Sequence, residues 1–378
     1  MDFWNILTVG LPVFIILLGP LMFIHELGHF LAAKRAGVRV EEFGMGLPPR
    51  LVRLFRRGET EYTLNWLPFG AFVRMTGEED PSDPRSFAAQ SKRWRVLILA
   101  AGPLMNLLGG FLILALAYLF FATQPTEFQY RIVRVNITGV GARLGLQPGD
   151  YIVSINGQDM IQRLPVGSEA TPDAAPLRQF ILSQAGQPVQ ITVMRPVRED
   201  SSELQMLTLN GTLPETLNPS APLGIGLAFK VLRSERMYYT IDAALGAALA
   251  DFFAVLNSIV SAPIEILSQQ APLSRVRPVG PVGITSIGVS LIEERESQGL
   301  FPFARFAGFV SIAIAFTNLL PLPSLDGGRL LFVLIEALRR RRVNPQREQW
   351  VHAVGMFFLL SLSVFIIILD ILQPVVLP

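Results

Sequence analysis

Two of the three histidines in this 378-residue chain, His25 and His29, stand four positions apart with Glu26 between them. On a helix that spacing sets both imidazoles on one face. Two ring nitrogens can then bind one Zn2+ while the neighbouring carboxylate takes a proton from an attacking water. The surrounding run, LMFIHELGHFLAA, is among the most apolar of the chain. Ionisable side chains placed in hydrocarbon cost about 3 kcal/mol or more each. A histidine pair satisfied by core neighbours is the alternative, and a lipid setting argues against it.

A catalytic zinc site takes three protein ligands and leaves a position open. The chain has no cysteine, so the third ligand must be His, Asp or Glu. His352 lies at the start of the last apolar run, Asp370 at its far end, and Asp326 just beyond Pro321 and Pro323 in the run before it. Asp326 could also serve as an N-cap for a helix restarting at Gly327. Depth favours Asp326 as ligand. His25 and His29 precede Lys34 by about two helical turns, and Asp326 precedes Arg339 by about three to four. A site of this kind hydrolyses amides, with Glu26 moving the proton from water to the leaving amine. Its setting requires the scissile bond to enter the membrane. A substrate helix must unwind there to offer a carbonyl, and a strand edge could hold it extended.

The elements that must position these groups are those of a polytopic α-helical membrane protein. Hydrophobic residues make up 51% and charged residues 16%, against about 25% charged in soluble domains. A net charge of +2 points to no nucleic acid. Four transmembrane helices are predicted, in residues 1–35, 93–123, 303–342 and 350–373. The third is interrupted by NLLPLPSLDGGR. Asp2 is the one early charge, and Lys34 and Arg35 follow the first run, so that run reads as an uncleaved span. The positive-inside rule puts the loop at 36–92 and the four arginines Arg339–Arg342 in the cytoplasm. Residues 123–305 then lie outside with no net crossing, and both termini lie outside. Residues 237–268 are rich in Ala, Leu, Phe and Ile, but Asp242, Asp251 and Glu265 divide them. They are expected as an interfacial amphipathic helix rather than a fifth crossing.

The cytoplasmic loop has β-like runs at Arg50–Phe55, Glu61–Trp66 and Ala71–Met75, with more apolar residues than a free linker carries. It is expected as a small antiparallel sheet on or in the membrane face. Residues 127–230 read as a β-rich module. Its signals are a strand at Tyr151–Ile155, a hairpin turn at Asn156-Gly157, a helix around Pro176–Gln184 and a strand at Val189–Arg195. Arg163–Pro176 reads as a mobile loop.

HELGH in the first span, GPLMN (Gly102–Asn106) in the second, GPVGI (Gly280–Ile284) before the third and NLLPLPSLDGG (Asn318–Gly328) within it occur in that order. The pattern resembles the site-2 protease family, in its bacterial regulator-of-sigma-E protease branch, and the likeness covers nearly the whole chain. It implies Zn2+ held by His25, His29 and Asp326, Glu26 as catalytic base, and Asn318 and Asn106 as substrate or oxyanion contacts. It also implies a membrane-associated β-loop and one extracytoplasmic PDZ domain, where some relatives carry two. Ala313 stands where a polar residue is common in the family. The implied substrates are single-span membrane proteins already trimmed outside, of the anti-sigma-factor or remnant-signal-peptide type. The implied setting is the lipid bilayer of the bacterial cytoplasmic (inner) membrane, with the active site toward the cytoplasm and the PDZ module as a size filter or a binder of C-termini. Two rival readings belong to other classes: a zinc-free PDZ-bearing membrane scaffold, and a membrane zinc hydrolase acting on lipid amides.

Overall fold

A computed structural model describes residues 6–78, 80–197, 203–268 and 279–373. The chain divides into two compact units. One comprises Met1–Phe121, Tyr238–Glu293 and Leu300–Leu377, and the other Ala122–Met237 with Glu294–Gly299.

The first unit is built on apolar helices. The histidines lie on Leu11–Arg35 (α1), and the next long helix is Lys92–Phe120 (α2). Their approach depends on missing side chains. A Cβ at Gly28 would stand 2.3 Å from the carbonyl oxygen of Ala101, so the two backbones meet where lipid-embedded helices commonly place small residues. On another side of α2, Gly110 meets Gly308 of Phe301–Leu319 (α6) in the same way. The Ser311 hydroxyl of α6 donates to the Asn106 carbonyl of α2 at 2.8 Å.

Among the described residues, five helices are long and apolar enough to cross a membrane, one more than the sequence predicts. The additional one, Ile241–Ala262, belongs to Ile241–Leu267 (α4), the helix expected at the interface. It packs along α2 and α6 through Phe252 against Phe111 and Ala248 against Leu114 and Ile312. Asp251 does not face water as an amphipathic stripe would require. Its carboxylate accepts both Arg305 Nε and Nη2 at 2.5 Å and the Tyr118 hydroxyl at 2.9 Å. Composition counted Asp251 as an interruption because its partner is 54 residues away.

The short helix Pro281–Glu293 (α5) begins under Asp370 of Pro345–Leu372 (α8). The buried Asp370 carboxylate accepts the backbone N–H groups of Gly280 and Gly283 at 3.0 and 2.8 Å, satisfying donors that a helix start leaves open. The interrupted third span is two helices, α6 and Asp326–Arg339 (α7).

The loop after α1 forms two long antiparallel strands, Val40–Arg57 (β1) and Thr60–Met75 (β2), where the sequence suggests three shorter runs. The first half of β1 is matched twice, Phe43 facing both Val73 and Tyr62, while its second half pairs back on Thr60–Asn65. At the hairpin, Arg53 holds the Glu61 carboxyl below the usual carboxylate range through a hydrogen bond, and Arg50 adds to it. Leu51, Leu54, Phe55 and Trp66 remain exposed beside these ion pairs.

The second unit is wider than residues 127–230. Thr123–Val135 (β3) and Ile225–Arg236 (β7) pair from Thr123 with Arg236 to Val135 with Ile225. Tyr151–Ile155 (β4), Pro188–Pro196 (β5) and Leu204–Thr212 (β6) continue the seven-stranded sheet in the order β7, β3, β4, β5, β6. Asn156 and Gly157 both have positive φ, 49° and 78°, as a tight hairpin turn requires. A register shift between Ile152 and Ser154 breaks strict alternation and turns both Ile152 and Ile155 into the core. The helix Ala175–Ser183 (α3) buries Leu177 and Ile181, one turn apart, against it. Within the expected loop, residues 164–174 are irregular but anchored. The Gln124 side chain accepts from Gly167 N–H at 2.6 Å and donates to the Ser168 carbonyl at 2.7 Å.

Asp150 is fully buried in this unit, where it accepts Arg195 Nε and Nη2 at 2.6 and 2.8 Å and Gln147 N–H at 2.8 Å. Replacing it by alanine leaves the guanidinium without its counter-charge. Asp150→Ala is therefore expected to destabilise the unit by about 3 kcal/mol. Urea-dependent proteolysis of the full chain measures this, and an unchanged midpoint would refute it.

Candidate metal centre

His25 and His29 are both buried on α1 and turn their Nε2 atoms to one point. Asp326 arrives there from the first position of α7, 301 residues later than His25. The break before α7 explains how. The chain leaves α6 after Leu319, passes Pro321 and Pro323, and turns at Ser324 with φ 72°. Ser324 is clamped to α8, its N–H donating to His352 Nδ1 at 2.8 Å and its hydroxyl to the His352 carbonyl at 2.7 Å. The restarted helix then lies on its own approach. A Cβ at Gly327 would be 2.2 Å from the Leu320 oxygen, and one at Gly328 equally close to the Leu322 oxygen. Leu325, not Asp326, occupies the cap position, so the Asp326 carboxylate is spared for the histidines. The far end of α7 is fixed to the start of α2 by the buried Arg95–Glu336 pair at 2.6 Å.

The three ligand atoms form a near-equilateral triangle. His25 Nε2 is 3.0 Å and His29 Nε2 3.3 Å from Asp326 Oδ2, and the two nitrogens are 3.2 Å apart. Tetrahedral bonds of about 2.0–2.1 Å place ligand atoms about 3.3 Å from one another. The donor set, two imidazoles and a carboxylate with no thiolate, is that of hydrolytic zinc sites. The residues present therefore fit Zn2+. These are the described residues that cluster in this way.

α2 forms the wall behind the cluster. His29 Nδ1 lies 2.7 Å from the Ile98 carbonyl oxygen, and the Asn106 amide lies 3.3 Å from His25 Nδ1. Gly102 lies between them, where a Cβ would be 2.3 Å from His29 Nε2 and 2.8 Å from His25 Nε2. Glu26 is outside the triangle, with the backbone of Val73 on β2 close to its carboxylate. The edge of the sheet thus runs beside the helix that carries the histidines.

The other sequence candidates separate cleanly. His352 holds the Ser324 turn, and Asp370 holds α5, so neither belongs to the cluster. Asn318 donates to the Ile314 carbonyl at 3.1 Å and lines a cavity of about 980 Å³ that also includes Met22, Asp251, Arg305 and Ala313. Asn106 faces His25 rather than that cavity. Sequence reasoning missed Gly102 and the Ser324–His352 clamp. The GPLMN run contained the first signal. The second was invisible, since its partners are 28 residues apart and one of them contributes backbone groups.

Comparison with known proteins converges on the same chemistry. A Nostoc protein named as a zinc metalloprotease is 30% identical over 95% of this chain and 95% of its own length. A Clostridium perfringens protein named likewise is 28% identical over 94% and 96%. The regulator of sigma-W protease of Bacillus subtilis is 26% identical over 93% and 96%. Residues 13–362 match the profile of Peptidase family M50. With its apolar helices and its zinc-fitting triad, the chain belongs to that family, the site-2 proteases, and is an intramembrane zinc metalloprotease.

Proposed function

We propose that this enzyme cleaves the membrane-spanning segments of single-span proteins, of the anti-sigma-factor or remnant-signal-peptide type, within the bacterial cytoplasmic membrane. The observation that carries this reading is the convergence of His25, His29 and Asp326 in an apolar setting, with Glu26 and a strand edge beside them. The name of the Bacillus relative, a sigma-factor regulator, supports the substrate class.

In this reading His25, His29 and Asp326 hold Zn2+. When bound, the cation acidifies water and polarises a carbonyl. Glu26 takes the proton from the attacking water and delivers it to the leaving amine. The Ala71–Met75 segment receives the substrate as an added strand, which keeps its backbone extended and its carbonyl exposed. Asn318, on the cavity wall, contacts the incoming segment. The second unit is an extracytoplasmic PDZ module that excludes untrimmed substrates. Its sheet, its helix α3 and a cavity of about 200 Å³ between α3 and β7 support that assignment. A strand edge beside the base suits a peptide better than a lipid amide.

The test is cleavage of a single-span substrate by the reconstituted enzyme, with product masses locating the cut. The expected cut lies inside the apolar segment, and a cut confined to the flanking polar segments would overturn the proposal. For the filter, a folded domain left on the substrate's outer side is expected to slow cleavage at least about tenfold. Equal rates with and without that domain would remove the filter role.

A further inference from the structure

We infer that Asn106 is a positioning residue of the metal centre, and that its side-chain oxygen accepts the Nδ1–H of His25. This rests on the assignment of His25 as a ligand and deepens it.

His25 and His29 aim their Nε2 atoms at the shared point with Asp326, so their Nδ1 atoms face outward. An imidazole that gives its Nε2 lone pair to a cation carries its proton on Nδ1, and that proton needs an acceptor. For His29 the acceptor is in place, the Ile98 carbonyl oxygen at 2.7 Å. For His25 the neighbouring group is the Asn106 carboxamide, at 3.3 Å. Asn106 is fully buried, and its Oδ1 has no hydrogen-bond partner while its Nδ2 faces the ring. A buried amide oxygen without a donor costs about 1–3 kcal/mol. Oxygen and nitrogen of a carboxamide exchange places by a half turn of the terminal torsion, with almost no change of shape. That turn gives the orphaned oxygen its donor and gives His25 Nδ1–H its acceptor.

The placement along α2 reinforces the assignment. Ile98, Gly102 and Asn106 are spaced by four and lie on one face of the helix. The first contributes a carbonyl, the second an absent side chain, and the third an amide. One helix thus orients both imidazoles, the nearer by backbone and the farther by side chain. The Ser311 hydroxyl grips the Asn106 backbone carbonyl, fixing the height of that residue on α2 against α6. A residue that instead touched substrate would need exposure to the cavity, and Asn106 has none.

The experiment uses the full chain in detergent or bilayer with Zn2+ and a competing chelator as probe. Asn106→Leu, similar in size but without an acceptor, is expected to weaken Zn2+ affinity about 10- to 100-fold. Asn106→Asp, which keeps an acceptor oxygen, is expected to retain most of the affinity. A leucine variant with wild-type affinity would overturn the inference, as would an aspartate variant as weak as leucine. Should the leucine variant fail to fold, nitrogen-15 spectra of the histidines in the zinc-loaded wild type decide instead. A protonated, hydrogen-bonded His25 Nδ1 supports the inference, and a metal-bound or unprotonated Nδ1 refutes it. A wild-type chain that binds no Zn2+ at all would overturn the metal-centre reading itself, a failure distinct from that of Asn106.

Discussion

Glu26→Gln is expected to reduce peptide-bond cleavage by about a thousandfold or more, within the range attributed to a positioned acid–base group, while the protein still carries its Zn2+. The two halves of that result have separate causes. Glutamine keeps the size of glutamate, so the packing of α1 on β2 survives. It cannot take up a proton from water at neutral pH, so proton transfer to the leaving amine is lost. On the proposed assignment the metal is indifferent to the change, because the triangle of His25, His29 and Asp326 that would hold it excludes Glu26. Elemental analysis and a cleavage assay on one preparation give both numbers. Undiminished cleavage would sink the assignment of Glu26 as base, and loss of zinc would make it a ligand.

Gly102→Ala is expected to weaken metal binding severely without replacing any ionisable residue. The added methyl carbon would arrive 2.3 Å from His29 Nε2 and 2.8 Å from His25 Nε2, far inside van der Waals contact. Two adjustments could relieve it. Helices α1 and α2 could separate, but Gly28 already sets the Ala101 carbonyl against α1, and moving the pair apart would forfeit that packing. The imidazoles could instead rotate about their own side-chain bonds, which is far cheaper. Rotation carries both Nε2 atoms away from Asp326, so a folded protein that holds metal weakly results. Wild-type helical content with zinc affinity reduced at least about tenfold, the range seen when groups that orient metal ligands are disturbed, is the expected outcome. Retention of wild-type zinc affinity would show that the wall behind the site yields more than its geometry implies.

The contrast between these two residues shows what could be read before any coordinates. Glu26 was legible because its chemistry and its spacing from the histidines lie within five positions. Asp326 was legible by depth, as two basic helix ends set a common level. Gly102 was marked only by the GPLMN run, because a residue that acts by lacking a side chain offers no chemistry of its own to read, and its effect depends on which helix lies opposite. Asn106 was visible as a polar residue in an apolar run but was assigned to substrate, since its partner His25 is 81 positions away. The hairpin of β1 and β2 was expected as sheet, but its double pairing needs the fold of the strand upon itself. Helix α4 was expected, and its place against α2 and α6 was hidden by Asp251, whose charge reads as a surface feature until Arg305 is beside it.

The separation of 301 positions between His25 and Asp326 would give a metal held by both a second office. In polymer terms, joining two points that far apart on a free chain costs about 5 kcal/mol of closure entropy, growing only with the logarithm of length. An ion bridging them restrains nearly the whole polypeptide with one small knot. Two segments made far apart in time would thereby be tied together at the site. The cluster is complete only after Asp326 has been made. A nascent copy that has not reached Asp326 carries HELGH without the carboxylate that completes the cluster.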